Sequence, residues 1–99
     1  ELNMQIRWTE EASNSIEQTL DYWYRNNGTF TYSEKILNET EKVEKEILSN
    51  PYSKQYSDIL DLYRKIFFKG KFSIYYKIDE AEEMIWIIDF RSNKQRPLF

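Results

Sequence analysis

The 99 residues suffice for one hydrophobic core and rarely for two, so a single domain over residues 1–99 is expected. Apolar residues make up 40% and aromatics 17%, which excludes a disordered chain despite 31% charged residues. The absence of cysteine excludes disulfide frameworks, thiol nucleophiles and thiolate metal sites. The net charge of -3 is unevenly spread: residues 1–50 hold five Lys/Arg against ten Asp/Glu, and residues 51–99 hold nine against seven. A basic surface is therefore expected from the second half. Cysteine-free composition fits a reducing cytosol, and no apolar run reaches membrane-spanning length, so a cytoplasmic protein with no membrane partner is expected. Met4 is one candidate for the natural start, and the sequence leaves open whether Glu1-Leu2-Asn3 are native.

In chain order, Met4-Gln5-Ile6-Arg7-Trp8 alternates apolar and polar side chains, the pattern of a strand with one buried face. Thr9 is placed to cap a helix, with Glu10 and Glu11 at its positive end. Ala12, Ile16, Leu20 and Trp23 form its apolar stripe, and Asn26-Asn27-Gly28 supplies a left-handed stop. Thr31 and Glu34 have the spacing of a capping box for a second helix. That helix carries Ile36, Thr40, Val43 and Ile47 on one face, with Leu37 and Leu48 beside them and Glu41 and Lys45 paired outside. Asn50-Pro51 ends it, because the residue before proline avoids helical geometry.

Tyr52 to Asp61 reads as a loop or a short edge strand. Two aromatic-rich strands follow, joined by a tight turn at Lys69-Gly70, and a polar turn at Asp79–Glu83 leads to a last strand from Met84 to Phe90. The order β-α-α-β-β-β predicts a two-layer α+β fold, an antiparallel sheet packed against a helix hairpin. Trp8, Trp23 and Trp86 are read as rings meeting in one core. The carboxylates Asp79, Glu80, Glu82 and Glu83 lack the spacing of a calcium loop, so neither a metal nor a cofactor is expected.

These segments, in this order, resemble the RelE/ParE toxins of type II toxin–antitoxin systems, the plasmid stabilisation system proteins. The resemblance is carried by Ile6-Arg7-Trp8-Thr9, Tyr22-Trp23, Asn50-Pro51, Tyr63-Arg64-Lys65, Phe72-Ser73-Ile74-Tyr75-Tyr76, Ile85-Trp86-Ile87 and Lys94-Gln95-Arg96-Pro97. It implies a RelE-like fold with the first strand beside the last, and a cognate antitoxin that wraps and neutralises the toxin. Assembly as a homodimer or as a toxin–antitoxin hetero-oligomer is left open. Two targets go with the family: RelE-like members cut messenger RNA on the ribosome, and ParE-like members poison DNA gyrase.

RNA cleavage through the 2′-hydroxyl needs a proton acceptor, charge for the phosphorane and a proton for the leaving oxygen. RelE-like nucleases supply these with basic and tyrosine residues on the sheet face and C-terminal segment. Arg64 matches the first basic position, but Ile66 falls where a lysine belongs and Ser73 where an arginine belongs. Lys94 keeps charge near the C-terminus without the bidentate fork of arginine. Phe99 precedes the position of the nucleases' terminal tyrosine, and histidine is absent. The ribonuclease candidates are then Arg64, Lys94, Arg96 and Tyr75, with Tyr75 expected exposed beside Ser73 and Lys77, opposite a core-facing Tyr76. The binding alternative gathers Arg64, Lys71, Lys77, Arg91, Lys94 and Arg96 into one basic patch for an acidic antitoxin tail or gyrase surface. Lysines there equally serve to protect strand edges. The pattern favours a ParE-like toxin that acts by binding, with a RelE-like messenger RNA interferase and a non-toxic binding module as alternatives.

Overall fold

A computed structural model describes residues 3–99; the open question of whether the first three residues are native falls partly on Glu1 and Leu2, which lie outside the described residues. The elements are β1 (Gln5–Trp8), α1 (Glu10–Asn27), α2 (Thr31–Ser49), β2 (Gln55–Ser57), β3 (Leu62–Phe67), β4 (Phe72–Asp79) and β5 (Met84–Ser92). Thr9 has extended backbone, and its Oγ1 accepts from the Ala12 N–H at 3.1 Å, satisfying one of the free donors of the α1 start. At the other end Gly28 adopts φ 70°, and its N–H closes the helix on the Tyr24 carbonyl. The α1 stripe buries Ala12 and Ile16, with Leu20 and Trp23 half-buried behind them.

The start of α2 departs from the expected capping box. Thr31 lies inside the helix, Phe30 takes the cap position, and no side-chain cap bond forms. Ser33 instead donates its hydroxyl to the Leu20 carbonyl at 2.7 Å, which ties the hairpin of helices together. Ile36, Thr40, Val43 and Ile47 are buried as their spacing predicts. The ion pair on this helix joins Glu39 to Lys42 at 2.9 Å, rather than Glu41 to Lys45.

The sheet order is β1-β5-β4-β3-β2. β1 lies beside β5, as the resemblance implies, but runs parallel to it, so the sheet is mixed; the other pairings are antiparallel. The segment after Pro51 contributes β2, a short edge strand that adds a member to the expected order. In the β3–β4 turn, Lys71 N–H bonds the Phe68 carbonyl at 3.2 Å, and Lys69 and Gly70 take φ 56° and 79°. Those signs define the mirror-image turn that suits a twisted hairpin.

A bulge opposite Tyr75 and Tyr76 leaves Ile88 unpaired, so Ile85, Ile87 and Phe90 all face the helices although the last two are an odd three positions apart. Together with Phe67, Phe72, Ile74 and Tyr76 they meet the apolar stripes of α1 and α2. Complete burial of one such isoleucine contributes about 1.5–3 kcal/mol. The tryptophans do not meet in one core. Trp86, alternating with two buried isoleucines, points to the opposite face and is 36% exposed. Trp8 and Trp23 pack at the core margin, with the Trp8 indole N–H donating to Glu44 at 3.0 Å.

Candidate functional site

The face of the sheet turned away from the helices carries Arg64 on β3 and Ser73 and Tyr75 on β4, with Arg64 and Tyr75 directly opposite in the ladder. The segment after β5 folds back over them. Arg64 Nε donates to Ser73 Oγ at 3.0 Å, one terminal nitrogen to Asn93 Oδ1 at 3.1 Å, and the other to the Phe99 main-chain oxygen at 2.9 Å. Ser73 donates to the same Asn93 oxygen at 2.7 Å, and Asn93 Nδ2 donates to the Gly70 carbonyl at 2.7 Å. The Leu98 N–H donates to the Tyr75 hydroxyl at 3.1 Å, and the Phe99 ring meets Tyr75 edge-on at 5.6 Å. The guanidinium of Arg64 stands over the Tyr75 ring at the same centroid distance, 5.6 Å.

Tyr75 is consequently 0% exposed, which corrects the expectation of an exposed tyrosine. Alternation assigned its face properly, but the C-terminal segment covers that face. Tyr76 is equally buried on the helix side, where its hydroxyl donates to the Pro51 carbonyl at 2.6 Å and burial pushes its pKa far above the usual tyrosine value.

Around the end of β5 a second feature opens. Two adjoining depressions of about 440 and 310 Å³ share Trp23, Phe72, Ser92 and Lys94 in their walls. Tyr22, Asp89 and Arg91 line the first, and Tyr32, Lys71 and Asn93 line the second. Trp23 and Tyr32 pack at 4.7 Å, and Phe68 and Phe72 stack at 6.0 Å. The Lys71 ammonium sits 5.6 Å from the Tyr32 ring and 5.8 Å from the Phe68 ring. Arg91 is partly neutralised by Asp89 at 2.9 Å and also holds the Arg96 carbonyl at 2.7 Å. The result is an aromatic groove rimmed by cations, a surface suited to an acidic partner with an apolar anchor.

The six basic residues expected in one patch therefore divide. Lys71, Arg91 and Lys94 gather at the Trp23 groove, Arg64 is fixed beneath the tail, and Lys77 lies exposed across the ladder from Trp86. The side chain of Arg96 is exposed. Of the ribonuclease candidates, the structure brings together Arg64 and Tyr75, whereas Lys94 lines the groove on the α1 side. Among the described residues no group of three or more Asp and Glu is arranged to hold a metal, and the Asp79 carboxylate caps its own turn through the Glu82 N–H at 3.1 Å.

Three participants escaped sequence reasoning. Asn93 and Phe99 act only through long-range contacts, and no local pattern marks them. The aromatic lining of the groove had a signal, since Trp23 ends the α1 stripe beside an aromatic neighbour, but its partners come from distant segments.

Comparison with known proteins follows the same lines. The family model described as ParE toxin of type II toxin–antitoxin system, parDE, matches residues 6–97. A solved structure from P. aeruginosa, of a chromosomal ParDE toxin–antitoxin system, superposes with a TM-score of 0.75 at 15% identity, covering 93% of this chain and 98% of that one. No curated protein sequence matches.

Proposed function

The chain belongs to the ParE toxin family of type II toxin–antitoxin systems, and from that premise we propose that it arrests bacterial growth by binding a cellular target, DNA gyrase, rather than by cutting RNA. The observation that carries this reading is that the ribonuclease candidates are either covered, as the adjacent Arg64 and Tyr75 are, or set apart from them, as Lys94 is. Arg64 is engaged by Ser73, Asn93 and Phe99, Tyr75 is fully buried, and Lys94 belongs to a different depression. Cleavage needs such groups around one phosphate. A cognate antitoxin neutralises the toxin by laying an acidic segment with an apolar side chain into the Trp23 groove. Lys71, Arg91 and Lys94 supply the complementary charge and Trp23 and Phe72 the apolar floor.

Induced expression of the chain alone in a bacterium, followed by growth, translation and DNA-damage signalling, tests the reading. Gyrase binding predicts arrested growth with DNA-damage signalling while translation continues. Early translation arrest with messages cut at ribosomes would replace it with RNA cleavage. Normal growth with soluble protein would leave a toxin fold kept as a binding module.

A further inference from the structure

Trp86 stands apart from the other two tryptophans. Ile85 and Ile87 on either side of it are 0% exposed under the helices, whereas Trp86 projects from the opposite face of β5 into solvent. Its ladder partners on both sides are cations. Arg7 of β1 and Lys77 of β4 stand directly across from it, so Arg7, Trp86 and Lys77 form one row over three adjacent strands. Both basic residues are exposed, and neither joins an ion pair among the described residues. The cation–ring contacts of the described residues belong to Arg64 and Lys71, so neither charge of the row is folded onto the indole. The carboxylate surplus of residues 1–50 lies chiefly in α1 and α2, on the far side of the sheet. In the next row, Asp79 stands across from Met84 and caps its own turn through the Glu82 N–H.

We propose that this row is a binding site for single-stranded nucleic acid, in which one unpaired base stacks on Trp86 and the phosphates flanking it pair with Arg7 and Lys77. A strand spacing of about 4.8 Å sets the Arg7 and Lys77 backbones about 10 Å apart with the indole between them. A nucleotide strand presents the complementary alternation of anion, plane and anion. Arg7 offers forked donors for phosphate oxygens, and Lys77 a mobile point charge. An acidic peptide supplies anions without a plane fixed between them, and a duplex keeps its bases stacked on one another. The site needs no cleavage chemistry, does not use Arg64 or Tyr75, and does not depend on gyrase being the target.

Fluorescence anisotropy of labelled oligothymidylate and oligouridylate, titrated with the full chain, tests the site. Binding should weaken about fivefold to a hundredfold in Trp86→Leu, the loss of one stacked base, and should largely return in Trp86→Tyr, which restores a ring. Arg7→Gln and Lys77→Gln should each lower the slope of log affinity against log salt by about 0.7, one phosphate contact on a single strand. Thermal unfolding by circular dichroism separates lost binding from lost fold, and the Arg7 and Lys77 variants carry the test even where Trp86→Leu unfolds. Either oligomer bound in this manner supports the site, and the tighter of the two tells a DNA strand from an RNA strand. Binding of neither, or folded Trp86→Leu binding as tightly as the unaltered chain, overturns the proposal. Poly-L-glutamate binding that falls in the same variants while neither oligomer binds would overturn it in favour of an acidic polypeptide.

Discussion

Replacing Tyr76 with phenylalanine removes a single hydroxyl and should destabilise the fold far more than the same change at its neighbour Tyr75. The Tyr76 hydroxyl donates at 2.6 Å to the carbonyl of buried Pro51, deep under the helix hairpin, where water is not a ready substitute. Deleting it leaves that carbonyl without its partner, at a cost of about 1–3 kcal/mol. The Tyr75 hydroxyl accepts from Leu98 N at 3.1 Å on the part-buried edge of the tail, where solvent can replace it, so Tyr75→Phe should cost about 0.5–1 kcal/mol. For a domain of this size each kcal/mol lowers Tm by about 4–8 °C. Thermal unfolding followed by circular dichroism, with urea unfolding to check that m is unchanged, measures both variants. The pH dependence offers a second readout. Burial raises the Tyr76 pKa, so the native state keeps a proton that the unfolded chain loses near the usual value of 10.0. The advantage of the unaltered chain over Tyr76→Phe is therefore full below that value and declines as the pH rises above it. Equal losses at the two tyrosines, or a larger loss at Tyr75, would refute the placement of Tyr76 in the dry layer.

Other positions give sharp expectations. Glu46 receives Lys54 at 2.6 Å and Lys65 at 2.9 Å, and these hydrogen bonds hold its carboxyl below the usual 4.5. Its contribution is thus present above 4.5 and lost as the pH falls through the lowered native value; since the side chain is 44% exposed, Glu46→Gln should cost only about 0.5 kcal/mol at neutral pH, vanishing in acid urea titrations. Gly28→Ala should cost about 1–2 kcal/mol in Tm measurements from backbone strain alone, because φ is +70° while a Cβ would meet nothing within 4 Å. Thr9→Ala should cost about 1 kcal/mol by loss of the α1 cap, with Thr9→Ser restoring it.

The helices were legible because their signals are local. Ala12, Ile16 and the Ile36–Ile47 stripe repeat at helical spacing, and Thr9 and Gly28 act through their own backbone. Thr31 failed as a cap because the Phe30 carbonyl already accepts the Glu34 N–H at 2.8 Å, which places Thr31 inside the first turn. Trp86 was misread although the signal was there: Ile85 and Ile87 flank it, and alternation sends it outward. Tyr75 shows where such reasoning stops. Period-two patterning tells which face a side chain takes, whereas whether another segment covers that face depends on Arg64 and Asn93 holding a tail whose own residues show no periodicity. The groove was hidden for the same reason beyond the hint at Trp23, since α1, α2, the β3–β4 turn and the end of β5 each supply part of it.

The most direct test of the central claim mixes the purified chain with purified DNA gyrase and relaxed plasmid and follows supercoiling and cleaved DNA on gels. Binding to gyrase predicts loss of supercoiling with accumulating cleaved DNA as the chain is titrated. Gyrase unaffected at saturating protein, while the chain cuts messenger RNA on translating ribosomes, would contradict the account.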